Sequence, residues 1–459
     1  MSQQIPATLL QSLEATKGFD KTAFEETHYH QTPITSIRFN AEKYDRFAGS
    51  NIMHPSFEIN DPVVWCKYGF YLNERPQFTF DPLLHAGAYY VQEASSMFLW
   101  TVLQQTFDAQ ANIKVLDMCA APGGKTTLLA SYFKNAFIVS NEVIKTRANI
   151  LYENVTKWGS ENIVVTNNDA ADFKRLKNYF DLIVADAPCS GSGLFRKDPE
   201  AINEWSNSNV QLCSQRQQRI LADIYSSLKY DGILIYSTCS YSQQEDEDNL
   251  DWLMDNFSFT SIQLRLDNDW NIDETTSQKH KTFGYRFWPH KLKGEGFFIA
   301  ALKKKDEYLH SKTNHLNLLQ ANNKEISTCE NYIEKNDWLF FKQQEIIRVI
   351  HKQWNNDVAL LQKNLYLKKA GVQMGEIKGK DLIPHHELAL STAVNDTIPK
   401  VELTKEQALE YLRKKEILIN ADLKGWALCT YKNFLLGWIK ILHNRVNNYY
   451  PTEWRIRKE

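Results

Sequence analysis

No two cysteines in this chain are spaced C-x-x-C, and the seven present, at positions 66, 119, 189, 213, 239, 329 and 429, are odd in number. That pattern argues against a disulfide framework and against a zinc site, and for a reducing compartment. No apolar run approaches the ~18 residues of a membrane span. Met1-Ser-Gln-Gln-Ile-Pro6 lacks the basic-then-apolar order of a secretory leader. The expectation is a cytoplasmic protein with no membrane partner. An excess of positive charge is missing as well: 53 Lys and Arg stand against 55 Asp and Glu, a net charge of −2. Bulk charge therefore points to no nucleic-acid partner, and any such partner needs a local basic face. No internal repeat stands out. What is present is ordinary for a soluble protein with a sizeable core: 459 residues, 43% hydrophobic and 24% charged, with aromatics at 12%. That length exceeds one ordinary domain.

Residues 1–80 mix a short helical pattern (Leu9, Leu10, Leu13) with two strand-like stretches, Ser36–Asn40 and Val63–Cys66, and read as an N-terminal α+β module. From 81 to 302 strands and helices alternate, as in a doubly wound α/β sheet. The strands fall at 113–116, Ala136–Ser140, Ile163–Thr166, Asp181–Ala185, Ile233–Tyr236 and Gly296–Leu302. Helices are expected from Leu99 and Trp100, over Ile144–Trp158, over Asn209–Leu228 with a stop at Asp231-Gly232, and around Leu250 and Leu253. Residues 303–395 read as a polar linker to about Asn331, followed by a helix carrying Ile346, Ile347, Val349, Ile350 and Trp354. The last module, 396–459, reads as a helix plus several strands. From residue 401 it holds 11 Lys and Arg against 7 Asp and Glu, interleaved with Trp426, Tyr431, Trp438, Tyr449, Tyr450 and Trp454. Such a mixture makes either an RNA surface or core aromatics beneath solvated lysines.

The organising stretch is Val115-Leu-Asp-Met-Cys-Ala-Ala-Pro-Gly-Gly-Lys-Thr-Thr127: a buried strand, a small-residue turn and a helix start. This order brings backbone amides close to a ligand. A P-loop would need glycine where Cys119 stands, and adjacent Gly123 and Gly124 spoil the dinucleotide fingerprint. A nucleoside-binding turn without a triphosphate grip remains, which suits S-adenosylmethionine; the alternative is a plain structural turn. Four strands place an acid just past their carboxyl ends: Asp117, Glu142, Asp169 and Asp186. Ligands of open α/β sheets bind at that edge, and an acid after the second strand can accept from ribose hydroxyls.

Two cysteines follow strand ends, Cys189 in Ala185-Asp-Ala-Pro-Cys-Ser-Gly-Ser-Gly193 and Cys239 in Ser237-Thr-Cys-Ser240. Neighbouring parallel strands lie ~4.8 Å apart, so these loops can converge on one substrate. A thiolate added to carbon 6 of cytosine turns the ring into an enamine whose carbon 5 can attack a sulfonium methyl. A regulatory disulfide between the same cysteines is the competing reading.

These residues carry a resemblance. Asp117-Met-Cys-Ala-Ala-Pro-Gly-Gly-Lys-Thr126, Asp186-Ala-Pro-Cys-Ser-Gly191 and Thr238-Cys-Ser240 resemble the motif set of the RNA (cytosine-5)-methyltransferases of the Sun/Nop family. The likeness spans residues 30–302 and takes in Gly87–Ser96, Arg147 with Asn154, Arg196-Lys-Asp-Pro199, Arg286-Phe-Trp-Pro-His290 and Glu295–Phe298. The tail, Gly425–Leu428, Leu436-Gly437 and Asn447–Pro451, is similar to the PUA-like module of the bacterial small-subunit ribosomal RNA methyltransferase F branch.

The resemblance implies an α/β protein: a Rossmann-like S-adenosylmethionine methyltransferase sheet, an N-terminal α+β module and a C-terminal PUA-like α+β module. It implies Cys239 as nucleophile, Cys189 as the group that assists release, and Asp186 and Lys125 as polarisers of the pyrimidine. It assigns Cys119, Ala120, Ala121, Pro122, Gly123, Gly124, Lys125, Glu142, Asp169 and Asp186 to the S-adenosylmethionine pocket, with no metal. Glu142 would take the ribose and Asp169 the adenine. RNA contacts are expected at Arg147, Arg196, Lys197, Arg286 and His290. The partner implied is small-subunit ribosomal RNA or the assembling subunit, met by a monomer, with the target base flipped or single-stranded. Competing readings are a non-catalytic RNA-binding assembly factor, a transfer RNA cytosine-5 methyltransferase and, against the Cys119 mismatch, a P-loop ATPase.

Overall fold

The computed structural model describes residues 4–47, 55, 57–306, 316–343, 345–419 and 423–458. Near the amino terminus, the helices Ala7–Leu13 and Lys21–His30 precede a four-stranded antiparallel sheet of β1 (Thr35–Phe39), β2 (Ile59–Pro62), β3 (Gly69–Leu72) and β4 (Tyr89–Val91), in the order β2-β3-β1-β4. Val63–Cys66, expected as a strand, is the turn joining β2 to β3. Its apolar character serves docking: Trp65 is buried there and its Nε1 donates to Ala94 O at 2.7 Å. β4 lies beyond the expected boundary at residue 80 and belongs to this sheet. Of the amino-terminal stretch without a leader pattern, residues 1–3 lie outside the described residues.

The large sheet is built on β5 (Lys114–Asp117), β6 (Phe137–Asn141), β7 (Ile163–Thr166), β8 (Phe180–Asp186) and β9 (Leu228–Thr238), all parallel. β10 (Phe259–Ser261), β11 (Asp273–Thr276), β12 (Phe283–Phe287) and β13 (Phe297–Lys304) extend it with antiparallel strands. The order is β11-β12-β13-β9-β8-β5-β6-β7-β16, where β16 is Leu367–Ala370, with β10 on β13. β5 is flanked by β6 on one side and β8 on the other, so the chain reverses direction across the sheet at β5. Ligands of doubly wound sheets bind beside such a switch point.

Both faces of the sheet are covered, which is why its strands read as continuous apolar runs. Val115, Ile138, Val165, Leu182 and Ile235 share one core with the N-terminal sheet; Leu116, Val139, Val164, Ile183 and Leu234 share the other with Trp354 and Leu361. The long helix ends at Tyr225, short of the expected Leu228, and Asp231-Gly232 lies within β9 where its register with β8 shifts.

The connecting region departs most from expectation. The helix expected over Ile346–Trp354 is a strand: β14 (Trp338–Gln343), β15 (Ile346–His351), β17 (Val372–Lys378) and β18 (Asp381–Pro384) form an antiparallel sheet. Four β-branched residues, Ile346, Ile347, Val349 and Ile350, favour the extended backbone. Between β15 and β17, β16 (Leu367–Ala370) leaves to pair with β7. Part of the expected linker, 307–315, lies outside the described residues. Another part is ordered: Asn322 and Glu325 make a capping box at the start of the helix Asn323–Cys329.

The C-terminal module holds β19 (Lys400–Glu402), β20 (Gly425–Tyr431), β21 (Phe434–Ile441) and β22 (Val446–Asn448), with the helix Lys405–Leu412. Trp438 and Tyr450 are fully buried core residues, whereas Trp426 and Tyr449 are half-buried with ring centroids 4.5 Å apart. Among the described residues, no helix is long and apolar enough to cross a membrane.

Candidate active site

The carboxyl ends of β5 to β9 lie along one edge of the sheet, and the residues of the glycine turn, the strand-end acids and the two thiols collect there. Leaving β5, the chain turns through Met118–Gly123 and enters the helix Gly124–Tyr132; Gly123 takes φ 117°, a left-handed conformation suited to glycine. Helix Lys145–Trp158 fixes the turn from outside: Arg147 Nη2 donates to Ala121 O and Asn154 Nδ2 to Pro122 O, both at 2.8 Å. Arg38 holds the turn from below. This fully buried guanidinium donates to Thr127 Oγ1 at 2.6 Å, to Gly124 O at 3.2 Å and to Gln92 Oε1 at 2.8 Å, and lies 4.8 Å from the Trp158 ring.

Asp117 is fully buried, and burial pushes its carboxyl up to about 7. Thr126 Oγ1 donates to its Oδ2 at 2.6 Å, while Oδ1 is buried with no partner. Cys119, between these acids, has its thiol raised far out of the reactive range by burial and by the charges of Asp186 and Glu142. It is a wall, not a nucleophile. Glu142, at the end of β6, is 3% exposed, accepts from Ile144 N at 2.9 Å and lies 3.6 Å from Arg147. Val143 and Ile144 follow it, apolar yet 56% and 49% exposed. Asp169, past β7, caps a 3-10 helix through Ala171 N at 3.0 Å and meets Arg219 at 3.2 Å; these bonds, Ala171 first, hold its carboxyl below the usual range.

On the other side of β5, Lys125 Nζ stands 2.6 Å from Asp186 Oδ2, and Ser237 Oγ donates to Asp186 Oδ1 at 2.8 Å. The loops after β8 and β9 bring the Sγ atoms of Cys189 and Cys239 to 3.0 Å. Both are free thiols, half-buried. The Cys189 thiol is pushed well up, first by its hydrogen bond with Cys239 and then by burial. Gly193 permits this closeness: a Cβ there would lie 2.7 Å from Cys239 O, whose carbonyl accepts from Gly193 N at 2.8 Å. At Gly191 a Cβ would meet nothing within 4 Å, so the thiol loop is open on that side.

Two expected RNA contacts are corrected. Arg286 is buried and bonded to Glu247 Oε1 at 2.7 Å and to Asp246 at 3.0 Å. Arg196 is buried against Glu295 at 3.2 Å and donates to Thr32 O at 3.1 Å. Buried guanidiniums with carboxylate partners are not offered to phosphate. His290 Nε2 bonds to Gly18 O at 3.1 Å, and its ring lies against Phe24 and Trp288, which makes it a contact between modules. Arg147 is exposed but is engaged at the glycine turn; Lys197 is exposed. The sequence reading missed Arg38, Ser237 and the Val143-Ile144 pair. Of these only the apolar pair after an acid at a strand end leaves a local signal.

A Rossmann-like sheet with this turn and these strand-end acids fits a methyltransferase, and comparison with known proteins makes the class an S-adenosylmethionine-dependent RNA methyltransferase. The profile described as 16S rRNA methyltransferase RsmB/F matches residues 104–303, that of the N-terminal domain of 16S rRNA methyltransferase RsmF matches 5–94, and the methyltransferase RsmF PUA domain matches 398–456. The chain belongs to the ribosomal RNA small subunit methyltransferase F family. It is 33% identical to the ribosomal RNA small subunit methyltransferase F of Psychromonas ingrahamii over 85% of this chain and 84% of that protein. For the Aeromonas salmonicida protein of that name the identity is 31%, over 91% and 90%. Among solved structures, a methyltransferase homolog from Pyrococcus horikoshii aligns with TM-score 0.51 and 27% identity, over 65% of this chain and 100% of its own. NSun6 from Pyrococcus horikoshii with SFG aligns with TM-score 0.54 over 66% and 99%; at 18% identity that likeness shows the fold.

Proposed function

We propose that this enzyme moves a methyl group from S-adenosylmethionine to carbon 5 of a cytosine in 16S ribosomal RNA through a covalent adduct with Cys239. The observation that carries the reading is the 3.0 Å Cys189–Cys239 pair beside the Lys125–Asp186 ion pair, all at the carboxyl edge where the glycine turn lies.

The residues at the turn fit the methyl donor. Its ammonium would satisfy the orphaned Asp117 Oδ1, its ribose would bond to the buried Glu142 carboxylate, and Val143 and Ile144 would give adenine an apolar bed beside Asp169. NSun6, of the same fold, is solved with SFG, an analogue of S-adenosylmethionine, which is in keeping with the choice of donor. When bound, the donor supplies an electrophilic methyl on sulfonium. The protein supplies the rest. Cys239 Sγ, as thiolate, bonds to carbon 6, and electron density moves onto the ring where Lys125 and Asp186 hold its polar edge. Carbon 5 then takes the methyl. Cys189 Sγ, as thiolate and in contact with Cys239, takes the carbon 5 proton and passes it to solvent; the electron pair of that bond restores the ring double bond, the Cys239–carbon 6 bond breaks, and Cys239 leaves as thiolate. Lys197 is the exposed cation nearest in sequence to the thiol loop and is proposed to meet backbone phosphate. A monomer acting in the cytoplasm is part of the same proposal.

The test is methylation of 16S RNA by the purified protein with labelled donor, read by bisulfite mapping. A single cytosine that resists conversion, and does so only when Cys239 is present, supports the reading; methylation at another atom, or none, overturns it.

A further inference from the structure

Each thiol of the pair is followed by a serine, Cys189 by Ser190 and Cys239 by Ser240, and the reaction above uses neither. Both serines meet one carboxylate. Glu245 Oε2 accepts from Ser190 Oγ at 2.5 Å and from Ser240 Oγ at 2.6 Å; Oε1 accepts from Ser190 N at 2.8 Å and from Gln217 Nε2 at 3.1 Å. Glu245 is 0% exposed. A carboxylate accepts about four hydrogen bonds, so every acceptor position is taken and none is left for a ligand.

The serines are 50 residues apart in sequence, and their hydroxyl oxygens stand 3.3 Å apart, the same convergence as the sulfurs that precede them. The surroundings fix the carboxylate in turn. Gln217 also donates to Pro188 O at 3.1 Å and accepts from Tyr236 Oη at 3.0 Å and from Asn249 Nδ2 at 2.6 Å. Arg286 anchors the segment that carries Glu245, donating to Tyr241 O at 3.0 Å and pairing with Asp246 and Glu247.

We infer that Glu245 is a positioning residue that clamps the β8 and β9 loops together through Ser190 and Ser240, and so sets the distance between the attacking and releasing thiols. The inference rests on the two-thiol reading for its catalytic consequence, but not for its geometry. Without the carboxylate, two buried hydroxyls and a backbone amide lose their shared acceptor; the loops keep the bonds from Gly193 N to Cys239 O and from Tyr241 N to Ser192 Oγ, but lose the tie at the residues next to the sulfurs. A misplacement of about 1 Å at reacting groups costs on the order of 100-fold. In Glu245→Gln the retained carbonyl still accepts from Ser190 N and Gln217, and the new amide donates to the serine oxygens. The clamp should survive that change.

The experiment measures sulfur proximity directly in the full chain. Diamide takes one hydrogen from each thiol and is reduced to the hydrazine as the Cys189–Cys239 bond forms; peptide mapping follows the disulfide. Glu245→Ala should slow its formation about tenfold and lower kcat roughly 100-fold, with KM for RNA and donor unchanged, and Glu245→Gln should restore both within about fivefold. If Glu245→Ala does not yield folded protein, the Ser190→Ala/Ser240→Ala double variant removes the same bridge and should show the same two losses. Unchanged disulfide rate and kcat in the folded variant overturn the clamp. Cys239→Ala separates the two ideas: if it stays active, the two-thiol reading fails, while the disulfide rate in Glu245→Ala still decides the clamp.

Discussion

Lys125 Nζ lies 2.6 Å from Asp186 Oδ2, a contact that ties the first turn of the helix after the glycine turn to the carboxyl end of β8. The ammonium is well buried and lies 5.2 Å from the Phe297 ring. One residue comes from the glycine-turn side of the site and the other from the thiol side, so in the proposed reaction their contact lies where donor and base would meet. Lys125→Met keeps the length of the side chain and removes the charge. It should lower kcat about 100-fold, the scale of one lost electrostatic stabiliser, with RNA affinity near the parent value. Single-turnover methyl transfer and filter binding separate the two quantities.

If Asp117 takes the donor's ammonium as proposed, donor binding should depend on pH. Burial raises its carboxyl to about 7, so it is largely protonated below that pH and charged above. An ammonium needs the charged form; affinity for S-adenosylmethionine should therefore rise about tenfold per pH unit on the acid side, reach a maximum a little above pH 7, and fall as the donor's own α-ammonium, with an ordinary value of about 7.7–8.0, loses its proton. Asp117→Asn should flatten the curve and weaken binding at the alkaline end. Calorimetric titration across this range reads it; a flat profile for the parent protein removes Asp117 from the ammonium site.

Salt dependence distinguishes Lys197 from the buried arginines. Removing one phosphate contact reduces the slope of log K against log salt by roughly 0.7–0.9. Lys197→Ala should do this with no loss of stability. Arg286→Lys should leave the slope unchanged and lower the melting temperature, because its carboxylate partners Asp246 and Glu247 are buried with it.

Arg38 couples the N-terminal sheet to the donor turn. Lysine cannot reproduce a guanidinium fork that reaches Gln92, Gly124 and Thr127 together. Arg38→Lys should cost about 2 kcal/mol, seen as a lower urea midpoint. A midpoint equal to that of the parent would mean the fork contributes nothing to docking.

Legibility in the sequence followed locality. β5 to β9 each announced themselves as an apolar run buried on both faces, and Asp117, Glu142, Asp169 and Asp186 marked the ends of β5 to β8. The convergence of Cys189 on Cys239 could be argued because both loops leave adjoining parallel strands. β15 was misread because its β-branched residues sit on consecutive positions rather than alternating, since both of its faces are covered. Arg196 and Arg286 looked like phosphate ligands because a sequence displays an arginine without its partner: Glu295 is 99 residues from Arg196 and Glu247 is 39 from Arg286. Arg38 was invisible for the same reason, its Thr127 contact lying 89 residues away. The capping box at Asn322 and Glu325 was a local signal that polar composition concealed.

The division of labour between the thiols is read most directly from a denaturing gel of the Cys189→Ala variant incubated with 16S RNA and S-adenosylmethionine. With Cys239 able to attack and its neighbour unable to assist release, a band of protein joined to RNA should accumulate, and Cys189→Ala/Cys239→Ala should abolish it. Free RNA and free protein alone in the single variant, with methylation continuing at the parent rate, would contradict covalent catalysis by this pair.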